Sequence, residues 1–544
     1  MPAETTASPL GRVPQEVLEH IAFFAATDGF LGPPAGLVPL LSLNRAMHDA
    51  LSFQNNPHLY ARVFAGKYDE DAAVRRLGAA QLPATALAEE LQRRSLVLKR
   101  IRARYDSKVP SSDKHLGRVM WTAYLMVLEN DGKNERQLLE YARANEWLKE
   151  YLFDARGASQ FFETITASDK WIANSELMSL ALWLFWYLLQ PEDYLNNDAP
   201  SRDASGILKV IALGAHKYPS CYPDWVDFVP RGPNTAPTTI RHFSSEFRLV
   251  APAPAPAAIL AYLTLANKSG VSWDSISYSK PIFPPLDVDR TARTSAERDC
   301  EWARLRNLAE PKIFLRPTMS GAFTPGSLEG VWEGVFTYTE FTSYAALLSG
   351  APPSVLQRSL VAQHSQTIKV REWHFVAPAA DHDNDHDHDA DADAPMLLLH
   401  GDHEQRPLGP GNPSRGYVPD GIEIHEGSDR LELVLPGHKR PVVYHAWASV
   451  RKQGLQARVQ DVFLTGEGHS AWGQFNLVGR VRPSDGYISL SKEYMQTDGD
   501  RGKWLYRAYM VGNANGNLAG RWRDTLSPAH IQGYEGTWVA SRRR

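Results

Sequence analysis

The stretch Trp472-Gly473-Gln474-Phe475-Asn476-Leu477-Val478-Gly479-Arg480-Val481-Arg482-Pro483-Ser484-Asp485-Gly486-Tyr487-Ile488-Ser489-Leu490-Ser491-Lys492 decides the fold class of the C-terminal part of the chain. Phe475, Leu477, Gly479 and Val481 alternate with Gln474, Asn476, Val478 and Arg480, the period of two that sorts side chains onto opposite faces of a strand. Asp485-Gly486 marks a turn, and Ile488, Leu490 and Lys492 then alternate with Tyr487, Ser489 and Ser491. The reading is an antiparallel hairpin.

Working outward, Trp504 to Val511 is a further strand that leads through a turn at Asn513 to Asn517 into Leu518 to Arg523, and Gly533 to Ala540 is the last strand. A glycine-aromatic phrase recurs as Gly330-Val331-Trp332-Glu333-Gly334-Val335-Phe336, as Trp472-Gly473-Gln474-Phe475 and as Gly533-Tyr534-Glu535-Gly536-Thr537-Trp538. Glycine at such positions lets a coiled strand bend where a barrel closes. A meander of roughly eight or more strands would leave exposed edges unless it closed, so an antiparallel barrel is expected over 326–544, with the first phrase pairing with the last. Between Asp381 and Asp393 stand seven aspartates and the histidines His382, His386 and His388 with no large apolar residue, which predicts a disordered loop at 379–395 with no required metal.

The first two hundred residues carry helical periodicity instead. Val17, Leu18, Ile21, Phe24 and Ala25 share a face after Pro14, with Glu16, Glu19 and His20 pointing away. A second stripe runs through Leu37, Leu40, Leu41, Met47 and Leu51, and a third through Leu87, Leu91, Leu98 and Ile101, opposite a solvated charge run at Arg93, Lys99, Arg100 and Arg104. Trp121, Tyr124, Leu125 and Leu128, then Leu138, Tyr141 and Leu148, recur at helical spacing, and Leu177 to Leu189 reads as a core helix too short to span a membrane. The Ala-Pro alternation of Val250 to Ala258 predicts an extended linker and a domain boundary, and Thr294 with Glu297 predicts one more helix over 295–309.

Length and composition bound what such a chain does. At 544 residues it exceeds the ~250 to 300 at which single cores stop growing, so several units are expected. With 58 basic and 62 acidic residues, no global field draws nucleic acid or an anionic membrane, and neither is expected as a partner. Two cysteines, Cys221 and Cys300, form no disulfide framework and are expected to be buried and inert. The first twelve residues show no apolar signal segment, which fits the cytoplasm, the nucleus or both. Searches for chemistry fail. Gly409-Pro410-Gly411 lacks a dinucleotide context, His403-Glu404 and His425-Glu426 lack the second zincin histidine, and Gly468-His469-Ser470-Ala471-Trp472 is not a nucleophile elbow. No catalytic residue and no cofactor is expected.

Val13-Pro14-Gln15-Glu16-Val17-Leu18-Glu19-His20-Ile21, followed by Leu40-Leu41-Ser42-Leu43-Asn44-Arg45, resembles the F-box, with Val13 where leucine is usual. Asn56-Pro57-His58-Leu59-Tyr60 and Arg75-Arg76-Leu77-Gly78 look like the extended box of fungal F-box proteins, so the resemblance covers about the first 105 residues. It implies docking on the Skp adaptor of a cullin ubiquitin ligase through Val13, Pro14, Val17, Leu18, Ile21, Leu40 and Leu43. The alternative is that these stripes pack on the following helices. Gly330-Val331-Trp332 and, loosely, Gly520-Arg521-Trp522 make the last third similar to calycin and lipocalin barrels, and such a barrel beside an F-box implies recognition of an unknown target protein. The expected fold class is multidomain α+β: an N-terminal α-helical F-box over 1–105, a helical spacer over 106–250, a linker and connecting helix over 251–325, and the C-terminal antiparallel β-barrel. The expected function is that of a non-catalytic substrate receptor, with a calycin-like carrier of a small apolar ligand as the alternative. An open apolar lumen would favour the carrier, and a lumen filled by aromatics would not.

Overall fold

A computed structural model describes residues 13–108, 113–196, 198–230, 235–268, 295–310, 319–377, 406–495, 502–512 and 516–543. The Asp381 to Asp393 tract lies outside the described residues. The chain is a multidomain α+β protein, helical in its first half and closing into an antiparallel barrel in its second.

The helical half begins with α1 (Gln15–Thr27), α2 (Leu37–Leu41), α3 (Arg45–Leu51), α4 (Pro57–Lys67), α5 (Asp71–Leu77) and α6 (Ala84–Arg102). It continues with α7 (Asp113–Leu128), α8 (Lys133–Arg136), α9 (Ala144–Phe153), α10 (Glu176–Leu188) and α11 (Ala199–Leu213). The stripe from Leu37 to Leu51 is two helices, because Asn44 is extended and its side-chain oxygen accepts the Met47 amide at 2.9 Å, which starts α3 afresh. The apolar run Leu177 to Leu189 is the buried α10, as expected. A hairpin of β1 (Thr238–His242) and β2 (Ser245–Leu249) follows.

The Ala-Pro segment is not a linker. Pro254 to Lys268 is a helix, α12, and Ala255, Ala257, Ala258, Ile259, Ala261 and Leu263 on it are completely buried. Both Pro254 and Pro256 fall in its first turn, where the amides lack an intrahelical acceptor and proline costs nothing. The Trp183 indole donates to the Ala253 carbonyl at 2.9 Å and the Ser179 hydroxyl donates to Pro252, so the segment entering α12 is held by α10. The helix expected over 295–309 is a 3-10 turn at Ser295–Arg298 followed by α13 (Asp299–Asn307), and Arg75 and Arg76 of α5 both grip Asp299 at 2.7 Å.

The strands are β3 (Gly330–Thr339), β4 (Val361–Val376), β5 (Glu423–Glu426), β6 (Arg430–Val434), β7 (Val442–Ala446), β8 (Val459–Ser470), β9 (Gly473–Val481), β10 (Ile488–Tyr494), β11 (Lys503–Val511), β12 (Asn517–Asp524) and β13 (Glu535–Arg542). The order β3-β13-β12-β11-β10-β9-β8-β4 returns to β3, so eight strands close, and β7-β6-β5 extend from the end of β4. Closure pairs Phe336 with Trp538 and Trp332 with Arg542, the two segments that carry the recurring phrase. Glycines sit where the strands press together: a Cβ on Gly334 would meet the Val539 carbonyl oxygen at 1.9 Å, and one on Gly520 would meet that of Arg507 at the same distance.

Trp332, Phe336, Phe475, Tyr506, Trp522 and Trp538 fill the lumen. Each of its three indoles donates to a backbone carbonyl, of Leu328, Thr337 and Arg507. Lys492 is buried among them, its ammonium 3.0 Å from Gln366 Oε1 and 4.0 Å from the Phe475 ring centre. The arginine that lies over Trp332 is Arg542, at 5.2 Å, and not Arg521, which points outward into the helical half.

The apolar cluster of the helical half therefore runs across the boundary drawn at the Ala-Pro segment, while the barrel lumen forms a cluster of its own. α12 packs on α10 and α11 and also against β12 and β13, and the outward Val335, Ala519 and Val539 belong to the same apolar cluster as Ala258 and Leu260. A helix apolar all round is stable only when covered all round, and here the barrel wall supplies part of the cover.

Candidate functional site

In α1 the fully buried side chains are small. Ala22 and Ala26 are buried, which lets the following loop lie close: a Cβ on Gly36 would sit 2.0 Å from the Ala25 carbonyl oxygen. Lys67, buried on α4, donates to the Gly29 and Phe30 carbonyls, and burial pushes its ammonium down to about 8. Glu19 also turns inward rather than away, accepting from Asn56 Nδ2 at 2.8 Å, and Gln15 donates to the Ala50 carbonyl at 3.2 Å. Asn56 caps α4 by accepting the Leu59 amide at 3.1 Å, and Pro57 takes the first helical position.

This scaffold leaves the large apolar side chains outside. Phe24 is 64% exposed, Val38 61%, Leu43 52%, Val17 46% and Ile21 44%, the inverse of an ordinary surface helix, whose apolar stripe faces the core. Of the residues named from sequence, Pro14, Val17, Ile21 and Leu43 are exposed, and Val13, Leu18 and Leu40 are half-buried. Leu18 and Leu40 pack on the helical core. The stripe Val17, Ile21, Phe24 thus does not fold back onto the following helices. Val38 was not singled out in the sequence because every residue of Leu37-Val38-Pro39-Leu40-Leu41 is apolar and no periodicity separates its faces.

The chain matches no family model, no curated protein and no solved structure. Function rests on the residues themselves. Among the described residues no group of three or more histidine, cysteine, aspartate or glutamate side chains is placed to hold a metal ion, and no helix is long and apolar enough to cross a membrane. Cys221 and Cys300 are buried and unpaired with each other, and burial pushes both thiols up to about 11, away from nucleophilic use. The barrel lumen is filled by aromatic side chains and Lys492, the arrangement that does not favour a small-ligand carrier.

Proposed function

We propose that this chain is an F-box protein, the non-catalytic substrate receptor of a Skp-cullin-F-box ubiquitin ligase. The observation that carries the reading is the outward placement of Val17, Ile21, Phe24 and Val38 on short N-terminal helices and of Leu43 in the turn after α2, including three of the residues that the F-box resemblance implies for adaptor docking. Large apolar side chains held outward on a well-fixed scaffold mark a protein interaction surface. The Skp-type adaptor would cover that surface, the helical half would set distance and the barrel with its loops would hold an unidentified target. The contribution to rate would be proximity, making an encounter between target lysine and charged enzyme effectively intramolecular.

Replacing Pro14 with Ala and Ile21 with Asp tests this directly. Ile21 is nearly half exposed in the free chain, so the double variant is expected to keep its melting temperature. Adaptor capture is expected to disappear, because an aspartate desolvated in an apolar contact costs several kcal/mol, ~2 to 7 for an unpaired polar group and more for a charge. Undiminished capture of recombinant Skp adaptor by a folded double variant rejects the reading.

A further inference from the structure

A groove runs between α6 and α7, bordered at one end by β1 and at the other by Lys99, Ala103 and Tyr105. It consists of two hollows of about 1050 and 480 Å³ that share Arg93, Leu96 and Arg118 and are therefore continuous. Its lining on α6 extends from Glu89 to Ala103, about 21 Å of helix, which is the span of about six extended residues. Leu96, where the two hollows meet, is 61% exposed, and Tyr105 at the far end is 62% exposed.

The two ends differ in charge and in backbone. At the β1 end every lining carboxylate is engaged. Glu89 accepts from Arg241 at 2.7 Å and the Ser244 hydroxyl at 2.9 Å, Glu90 is bound by Arg93 and Arg94, and Glu176 accepts from the Thr238 hydroxyl at 2.6 Å and the Trp121 indole at 3.1 Å. No carboxylate lines the other end. There Arg100 is paired with Asp106, while the exposed Lys99 and Arg118 have no carboxylate partner among the described residues. Backbone groups come from β1. His242 pairs with Ser245 across a two-residue turn in which Phe243 and Ser244 both have positive φ, so Thr238, Ile240 and His242 bond to β2 while Thr239 and Arg241 turn their N–H and C=O groups to the free edge. β1 lines the groove and β2 does not, so that edge borders it, and among the described residues no further strand pairs there.

We propose that this groove binds an extended segment of a partner protein, about six residues long, mainly apolar, and acidic at the end that lies beside Lys99 and Arg118. Leu96 and Tyr105 supply the apolar contact, and the two cations without a carboxylate complement acidic side chains at that end alone, which fixes the direction of the segment. At the opposite end the edge of β1 takes up amide and carbonyl groups of the segment as an added strand does. An acyl chain would leave that edge unmatched, so the occupant is a peptide. The inference goes beyond the F-box reading and uses none of the residues proposed to hold the adaptor.

Screening a degenerate library of acetylated hexapeptides on beads with the fluorescently labelled full chain tests the groove. Recovered sequences are expected to carry Asp or Glu at one terminal position and apolar residues elsewhere. Leu96→Asp, at an exposed position, should weaken their binding roughly 10- to 100-fold, the worth of burying a leucine side chain. Arg118→Glu should abolish the acidic preference and keep the apolar one. Thr239→Pro removes an amide that the hairpin does not use and should weaken every recovered peptide. Recovery of no consensus, a basic terminal preference, or affinity that Leu96→Asp and Thr239→Pro leave unchanged overturns the proposal. Binding that appears only after deletion of residues 379–395 would assign the groove to this chain's own acidic tract, and dimerisation that Leu96→Asp abolishes would assign it to a second copy; either result also overturns it. None of these readouts involves the adaptor, so failure here is distinguishable from failure of the F-box reading.

Discussion

Truncation at Gln532, which removes β13, is expected to unfold the barrel and to take the packing of the helical half with it. β13 closes the ring by pairing with both β12 and β3, so its loss opens two unpaired edges at once. It also removes Trp538 from the centre of the lumen, where Tyr506 stacks edge-on at 5.2 Å. Losing one buried tryptophan costs about 3–5 kcal/mol, and domains of ordinary stability have about 5–15 in total. On the outer face, Val539 leaves the apolar cluster shared with α12, and Arg507 loses Glu535. Circular dichroism of the truncated chain should show loss of the strand signal and no cooperative melting. Retention of a full-amplitude helical transition would mean that α12 does not need the barrel wall, and the shared core would be disproved.

The barrel was legible because its information is local. Phe475 to Val481 and Ile488 to Lys492 alternate without interruption, and Gly334, Gly520 and Gly536 stand where neighbouring backbones would collide with any side chain. Closure followed from the same phrase at both ends of the meander, and the register of Phe336 with Trp538 bears it out. What was misread depends on context. Pro254 and Pro256 look like helix breakers until their place in the first turn is known, and the alanines between them suit close helix packing as well as an extended chain. The N-terminal stripes were legible as apolar, yet only the fold shows Leu18 and Leu40 turning inward while Val17, Phe24 and Val38 turn out. The cavity lined by Trp225, Arg507, Arg521 and His530 had no sequence signal, since these residues come from separate segments and a lone arginine on a strand reads as solvated.

The charge run on α6 hides the other large effect. Arg94 is completely buried, with Nε 2.8 Å from Glu90 Oε1 and Nη2 2.5 Å from Glu129 Oε2, and the Phe64, Tyr68 and Phe243 rings lie within 5.5 Å of its guanidinium. Arg93, read as part of a solvated face, lies 3.0 Å from His242 Nδ1, and His242 Nε2 lies 2.5 Å from Glu129 Oε1. Burial pushes both carboxylates up, and the facing Arg93, Arg94 and His242 overcome it, holding Glu90 well below the ordinary range and Glu129 at about 2. Arg94→Ala leaves two buried carboxylates short of their main counter-charge, which is expected to cost about 3–5 kcal/mol at pH 7. The pH dependence has a definite sign. In the parent chain both carboxylates have depressed folded-state pKa values, so their contribution is present above the ordinary 4.5 and is lost as pH falls from there toward about 2. In the variant the same carboxylates are raised by burial, protonate readily below 4.5 and no longer demand a partner. The gap in melting temperature between parent and Arg94→Ala should therefore be widest at pH 7 and narrow as pH falls through 4. A gap that stays constant over that range would show that Arg94 stabilises the fold by packing on its three aromatic rings and not by charge.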